Sequence, residues 1–232
     1  MPGLGDVRIT LYDVFGYLLP GLVTFAAVSI FVWALVFPRA ALTTPHLNGP
    51  EWIAVVVAAY VLGHLVQAVA DWIIEQPGLQ PQGRKALEWV PLEKKIARKV
   101  HEPAPEDNAT DAKKDEWARK IYELCDIVVS QKGQTGDREI YQYREGFYRG
   151  LSVALVLTLV AVIVRGLVSG DAIVGKHHAI TGGEYFLVCA VLAAAAFLSW
   201  QRFLHFFALK WHNAVWSFAV VAGMIGFPKR DS

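Results

Sequence analysis

Four long apolar blocks constrain this 232-residue chain more than any other feature. A bilayer hydrocarbon core of about 30 Å is crossed by roughly 20 helical residues at 1.5 Å per residue. The blocks are Gly16–Phe37, Trp52–Ile74, Phe147–Val168 and Tyr185–Trp200. They predict an all-α, polytopic integral membrane protein with four transmembrane helices.

The distribution of charge supports this fold class. Hydrophobic residues make up 54% of the chain and charged residues 19%, whereas a soluble domain carries about 25% charged residues. Between Glu75 and Arg149 lie 14 of the 22 Lys/Arg and 14 of the 21 Asp/Glu residues. A segregation of this kind excludes both an ordinary soluble globule and an intrinsically disordered chain.

Four regions follow from these blocks. We expect a short interfacial helix over 5–15, ahead of Pro20, which kinks the first span or marks its start. Arg149 and Arg165, near the ends of the third block, are expected to extend to opposite interfaces. The predicted regions are the interfacial helix with spans 1 and 2 (1–74), a helical insert (75–146), spans 3 and 4 (147–200) and an amphipathic tail helix (201–232).

The connections predict the orientation. Loops 38–51 and 169–184 hold one basic residue each, whereas the insert holds 14 Lys/Arg when Arg149 is counted and the region after Trp200 holds four. Basic connections stay on the cytoplasmic side of a membrane. The insert and both termini are therefore predicted to be cytoplasmic.

The second block carries a polar stripe. Tyr60, His64, Gln67 and Asp71 fall within an arc of about 80° on one helix face. His64 lies about 18 Å along the helix from Trp52, which predicts a position near the middle of the membrane. Polar groups in hydrocarbon are costly, so this face must meet protein or water.

Three interpretations of the stripe stay open. It can be a set of interhelical hydrogen bonds, the lining or gate of a pore, or a proton-relay or hydrolytic site. The last is the weakest, because no serine, cysteine or second histidine lies at motif spacing. The neighbouring Ala59-x-x-x-Gly63 pair is suited to close contact with another helix.

The insert and tail carry the remaining candidate residues. An amphipathic helix is predicted over 111–131, packing against the tail or neighbouring subunits. Its apolar stripe is Trp117, Ile121, Leu124 and Val128. The bases Lys94, Lys95 and Arg98 form either a solvated helix face or a surface for a nucleotide or nucleic acid. Tail residues Arg202, His205, Lys210 and His212 indicate either an interfacial aromatic belt that binds lipid headgroups or an anion-binding collar.

Catalytic signatures are missing from the sequence. It has no Walker A motif, Rossmann fingerprint, G-x-S-x-G or H-E-x-x-H. Its two cysteines, Cys125 and Cys189, form neither a ligand motif nor a disulfide framework. We therefore expect no enzymatic activity, no cofactor and no metal site.

Three segments carry a resemblance to known proteins: YDVFGYLLPG (Tyr12–Gly21), LGH (Leu62–His64) and RFLHFFALKWHNAVWSF (Arg202–Phe218). They resemble elements of small four-span proteins of bacterial anti-phage defence loci, and the order of parts is most similar to the channel effector of the Hailong system. The resemblance implies an oligomeric channel in the bacterial inner membrane. It also implies a partner nucleotidyltransferase whose DNA oligomers hold the channel shut.

These observations lead to one main hypothesis and two others. The main one is a homo-oligomeric ion channel, with a tetramer as the first expectation, that is gated from the cytoplasm and acts in anti-phage defence. The alternative is a non-conducting membrane anchor or adaptor that recruits a cytosolic partner through the insert. The weakest is a membrane-embedded enzyme that acts on lipid.

Overall fold

A computed structural model describes residues 4–37, 47–76, 93–99, 105–106, 108–132, 138–169, 173–174, 178–179 and 182–223. The helices are α1 (Leu4–Val36), α2 (Gly49–Glu75), α3 (Glu93–Lys99), α4 (Asp111–Gln131), α5 (Arg138–Ser169) and α6 (Gly182–Val221). Between α5 and α6, β1 (Ile173–Val174) pairs antiparallel with β2 (His178–Ala179). The predicted all-α fold is confirmed, apart from this two-residue ladder.

Four of the helices are long and apolar enough to cross a membrane: Gly16–Val36 within α1, then Gly49–Glu75, Arg138–Val168 and Gly182–Val221. Their outer faces expose large apolar side chains, for example Ile53 (67%), Leu167 (80%) and Phe186 (74%). Exposed apolar surface of this extent is unfavourable in water and is typical of lipid-facing helices. The chain is therefore a four-span membrane protein.

Helix α1 differs from its prediction, because no separate helix ends before Pro20. The helix runs without a break from Leu4 to Val36 with Pro20 inside it. Proline removes one helical hydrogen bond, here the bond to the carbonyl of Gly16. That carbonyl accepts instead from the Gln67 Nε2 of α2 at 3.5 Å.

Helix α2 begins at a capping box that the sequence analysis missed. The Asn48 side chain accepts from the backbone N–H of Glu51 at 3.1 Å, and the Glu51 carboxylate accepts from the backbone N–H of Asn48 at 2.7 Å. Pro50 lies in the first turn of α2. Its missing backbone N–H costs no hydrogen bond there, because first-turn N–H groups have no partner within the helix. The signal was present as Asn-Gly-Pro-Glu immediately before the apolar block.

Two glycines let α1 and α2 pack backbone to backbone. A Cβ added to Gly21 would overlap the Ala59 carbonyl, and one added to Gly63 would overlap the Tyr17 carbonyl. The pairing of Gly21 with Ala59 and of Tyr17 with Gly63 shows that the two helices run antiparallel. The small pair Ala59 and Gly63 therefore makes the close helix contact that its spacing predicts.

The chain divides into two compact units. The first comprises Met1–Leu79 with Tyr143–Phe203, and the second comprises Gln80–Gln142 with Leu204–Ser232. The apolar segments that end at Glu75 and resume in α5 therefore belong to the first unit. The charged insert and the second half of α6 belong to the second unit.

The second unit has a core of its own. Helix α4 spans Asp111–Gln131, as predicted, and Thr110 caps its N-terminus. The buried core side chains are Ile96, Trp117, Ala118, Ile121, Cys125, Val129, Trp211, Val215 and Phe218. The Tyr122 ring stacks on Trp211 with centroids 4.4 Å apart and 13° between planes. Arg138 forms an ion pair with Asp126 and donates to the Ser130 hydroxyl at 3.2 Å, which ties α5 to the end of α4.

The tail is not a separate helix, because α6 continues from Gly182 to Val221. The apolar face expected of an interfacial helix is instead buried in a core shared with α4. It includes Trp211, Val215 and Phe218. Insert and tail thus share one core, as anticipated for an insert of this size. The physical reason is that each helix alone has only one apolar face to bury.

Burial of Cys125 in this core yields the first prediction. Burial, with the charge of Asp126 adding to it, raises the pKa of the Cys125 thiol to about 12 from an ordinary 9.0. Because the thiolate is the reactive form, alkylation at about pH 8 should be roughly a thousandfold slower in the folded protein than after denaturation. Mass spectrometry of a Cys189→Ser chain after maleimide treatment measures this ratio. Equal rates in the two states would contradict the buried position.

Candidate functional site on the second membrane helix

An aromatic stack forms the first part of the site. His64 of α2 stacks on Tyr17 of α1, with ring centroids 3.9 Å apart and 20° between planes. Tyr60, one turn before His64, meets the same imidazole edge to face at 4.7 Å. In the first part of the stripe, the His64 ring therefore contacts two tyrosine rings, one from α1 and one from α2.

Gln67 forms the second part and connects three helices. Its Nε2 donates to the Gly146 carbonyl of α5 at 2.8 Å and to the Gly16 carbonyl of α1 at 3.5 Å. A side chain at Gly150 would occupy the same space, since an added Cβ would lie 2.8 Å from the Gln67 Cδ. Gln67 is buried, and it acts as an interhelical hydrogen-bonding residue.

A charged trio forms the third part. Arg149 of α5 forms an ion pair with Asp71 at 2.6 Å and with Glu145 at 3.5 Å. The Arg149 and Glu145 side chains are 14% and 5% exposed, whereas the Asp71 side chain is 51% exposed. The guanidinium therefore lies inside, and one of its two carboxylate partners faces outward.

The register of α1 against α2 determines which residues lie beside the stripe. His64 is level with Tyr17, which is only the second residue of the charge-free block of α1. Asp71 lies two turns further along α2, beyond that block. That His64 lies near the middle of the membrane stays a prediction; along α2 (Gly49–Glu75), it lies close to the middle of the helix.

Burial divides the stripe into an inner and an outer edge. Gln67 is buried and Tyr60 half-buried, whereas His64 and Asp71 are exposed. His64 makes ring contacts with Tyr17 and Tyr60. The stripe thus combines interhelical contacts with an exposed polar edge. This is consistent with two interpretations, interhelical hydrogen bonding and the lining or gate of a pore.

The predicted basic residues, other than Arg202, belong to the second unit. Lys95 and Arg98 are exposed on the short helix α3, and the side chain of Lys94 lies outside the described residues. On α6, Arg202 and His205 are exposed. Lys210 Nζ lies 5.3 Å from the centroid of the Phe207 ring, and His212 is half-buried beside Trp216.

Sequence reasoning missed several partners of the stripe. Tyr17, Glu145 and Arg149 were not assigned to it, and Arg149 was expected to extend to an interface. Arg165 likewise contacts protein, since its guanidinium donates to the Phe37 carbonyl at 3.0 Å, next to the C-terminus of α1. A charge inside an apolar block, opposite a block that contains an aspartate, is the signal that could have identified the Arg149 pair.

Comparison with known proteins identifies no relative. No protein-family model, curated protein or solved structure matches the chain. Across the described ranges, no group of three or more His, Cys, Asp or Glu side chains is placed to hold a metal ion. Any assignment of function must therefore come from the site itself.

Proposed function

We propose that this chain is the subunit of a homo-oligomeric ion channel whose opening is controlled from the cytoplasmic side. The exposed polar edge of α2 carries this proposal. His64 and Asp71 are exposed on a helix that otherwise exposes residues such as Val61 and Leu65. His64 lies close to the middle of this span, where a polar side chain facing lipid is unfavourable, so we place this edge against water or a second copy.

A water path would have to form between copies. Within one subunit, α2 packs its small residues directly on α1, and Gln67 joins it to α5. This packing buries Gln67 and leaves His64 and Asp71 exposed on the surface of the subunit. A ring of subunits would bring these edges together, with a tetramer as the first expectation.

Control from the cytoplasm is part of the same proposal. The second unit holds the exposed bases Lys95, Arg98 and His205. Helices α5 and α6 each contribute residues to both units. The resemblance to the Hailong effector suggests a nucleotide or DNA oligomer as ligand, a partner nucleotidyltransferase as its source and phage defence as the role.

The non-conducting anchor is the second candidate, and one observation favours it. Gln67 and Asp71 both have partners inside the subunit, which is the arrangement expected of residues that only stabilise a helix bundle. An anchor of this kind would recruit a cytosolic protein through the second unit. The two candidates differ in whether the purified protein conducts.

Reconstitution of the purified chain in planar bilayers tests the proposal. We expect discrete single-channel currents whose open probability changes when oligonucleotides or cyclic nucleotides are added to the side of the second unit. The mass of the detergent-solubilised particle should correspond to several copies of the 25.7 kDa chain. A monomer without conductance would favour the anchor.

Orientation provides a separate prediction. We propose that the protein lies in the bacterial inner membrane with both termini and residues 75–146 in the cytoplasm, because these residues hold 13 of the 22 basic residues. A cysteine introduced at the exposed Asn108, in a cysteine-free chain, should react with an impermeant maleimide only after the cells are opened. Asn48→Cys is the matched control and should react in intact cells. The reverse pattern would invert the topology.

A further inference from the structure

In the charged trio of Asp71, Glu145 and Arg149, the acidic and basic side chains are not equally exposed. Asp71 and Arg149 form a close ion pair, yet the carboxylate side chain is 51% exposed and the guanidinium side chain 14% exposed. An evenly exposed ion pair would present both charges to its surroundings. Here the outward partner is the carboxylate, and the cation lies behind it.

Glu145 makes the imbalance larger. Its side chain is 5% exposed and lies 3.5 Å from the same guanidinium, so one buried cation is shared by two carboxylates. The trio has a formal charge of −1 at neutral pH. Glu75 and Arg144, the other charged residues between 67 and 76 on α2 and between 143 and 150 on α5, are both exposed and leave this excess unchanged.

From this arrangement we infer that the pathway conducts cations and that Asp71 sets this selectivity. The inference rests on the proposed channel function. In a ring of subunits, every copy places one outward carboxylate at the same level of α2. Rings of Asp or Glu side chains select cations because they concentrate counter-ions where low-dielectric walls focus the field.

The reversal potential in asymmetric KCl measures the inferred selectivity. The wild-type channel should pass K⁺ at least about tenfold better than Cl⁻, and Asp71→Asn should reduce this ratio toward 1. Asp71→Glu keeps the charge and should keep the ratio. Glu51→Gln is the matched control, because it removes a carboxylate from the same helix while a glutamine can still form the capping box.

The outcomes separate this inference from the channel proposal. An anion-selective wild type, or an Asp71→Asn channel with an unchanged ratio, would overturn the inference and leave the channel intact. Absence of any current from wild-type protein would overturn the channel and the inference with it. If Asp71→Asn protein does not assemble, labelling of Ala68→Cys, an exposed position about one turn before Asp71, decides with the carboxylate in place: cationic methanethiosulfonate should react faster than the anionic reagent, and equal or reversed rates would contradict the inference.

Discussion

Replacing Gly63 with alanine is expected to destabilise the packing of α1 on α2 by about 3 kcal/mol, the upper range for overpacked sites. The added methyl group would meet the Tyr17 carbonyl, with the carbonyl carbon only 2.7 Å away. Backbone atoms cannot rotate aside as a side chain can, so the helices must separate. Unfolding of the purified protein in mixed detergent and SDS, followed by tryptophan fluorescence, measures the change.

Gly16→Ala is the matched control for this experiment. Gly16 lies in the same helix pair, but an alanine Cβ there would have nothing within 4 Å. Because alanine has the higher helix propensity, this variant should be about 0.5–1 kcal/mol more stable than wild type. The close contact between α1 and α2 would be disproved if the two variants unfolded alike.

His64→Leu is expected to reduce single-channel conductance at least about tenfold while the protein still inserts and assembles, since apolar constrictions close pores by losing water. The imidazole stacks on Tyr17, and it is exposed on the other side. Leucine keeps an apolar contact with the tyrosine ring and removes the polar outward surface. Single-channel recording and cross-linking of the same preparation measure the two effects separately.

The control for this variant is Leu65→Ala. Leu65 neighbours His64 in the sequence and is 57% exposed, but it contributes no polar group. Its conductance should equal that of wild type. The interhelical interpretation makes the opposite prediction for His64→Leu, namely fewer assembled particles with normal conductance in each, and that result would remove His64 from the pathway.

Much of the fold was accessible from the sequence. The four spans follow from block length alone, because a helix in lipid satisfies its backbone internally whatever its neighbours are. Helix α4 could be placed at 111–131 because its apolar stripe repeats with the helical period after a capping threonine. The separate helix over 5–15 and a start of the span at Pro20 were wrong, because α1 runs from Leu4 to Val36 with Pro20 inside it.

The candidate site was accessible only in part. The periodicity of α2 placed Tyr60, His64, Gln67 and Asp71 on one face, because a single helix has a fixed rotation per residue. It could not assign Tyr17 as the partner of His64 or Arg149 as the partner of Asp71. Both contacts depend on how α1 and α5 are registered against α2.

What the sequence by itself determined is local: the number of spans, the side of each helix that is polar and the helix that the insert forms. Tertiary structure decided which edge of the stripe faces outward and which groups meet, such as Gln67 with a carbonyl 79 residues away and Asp71 with Arg149. The physical reason is one of range. Helical periodicity is set within a few residues, whereas the register between helices is set by the close approach of glycines that lie far apart in the chain, such as Gly21 and Gly63.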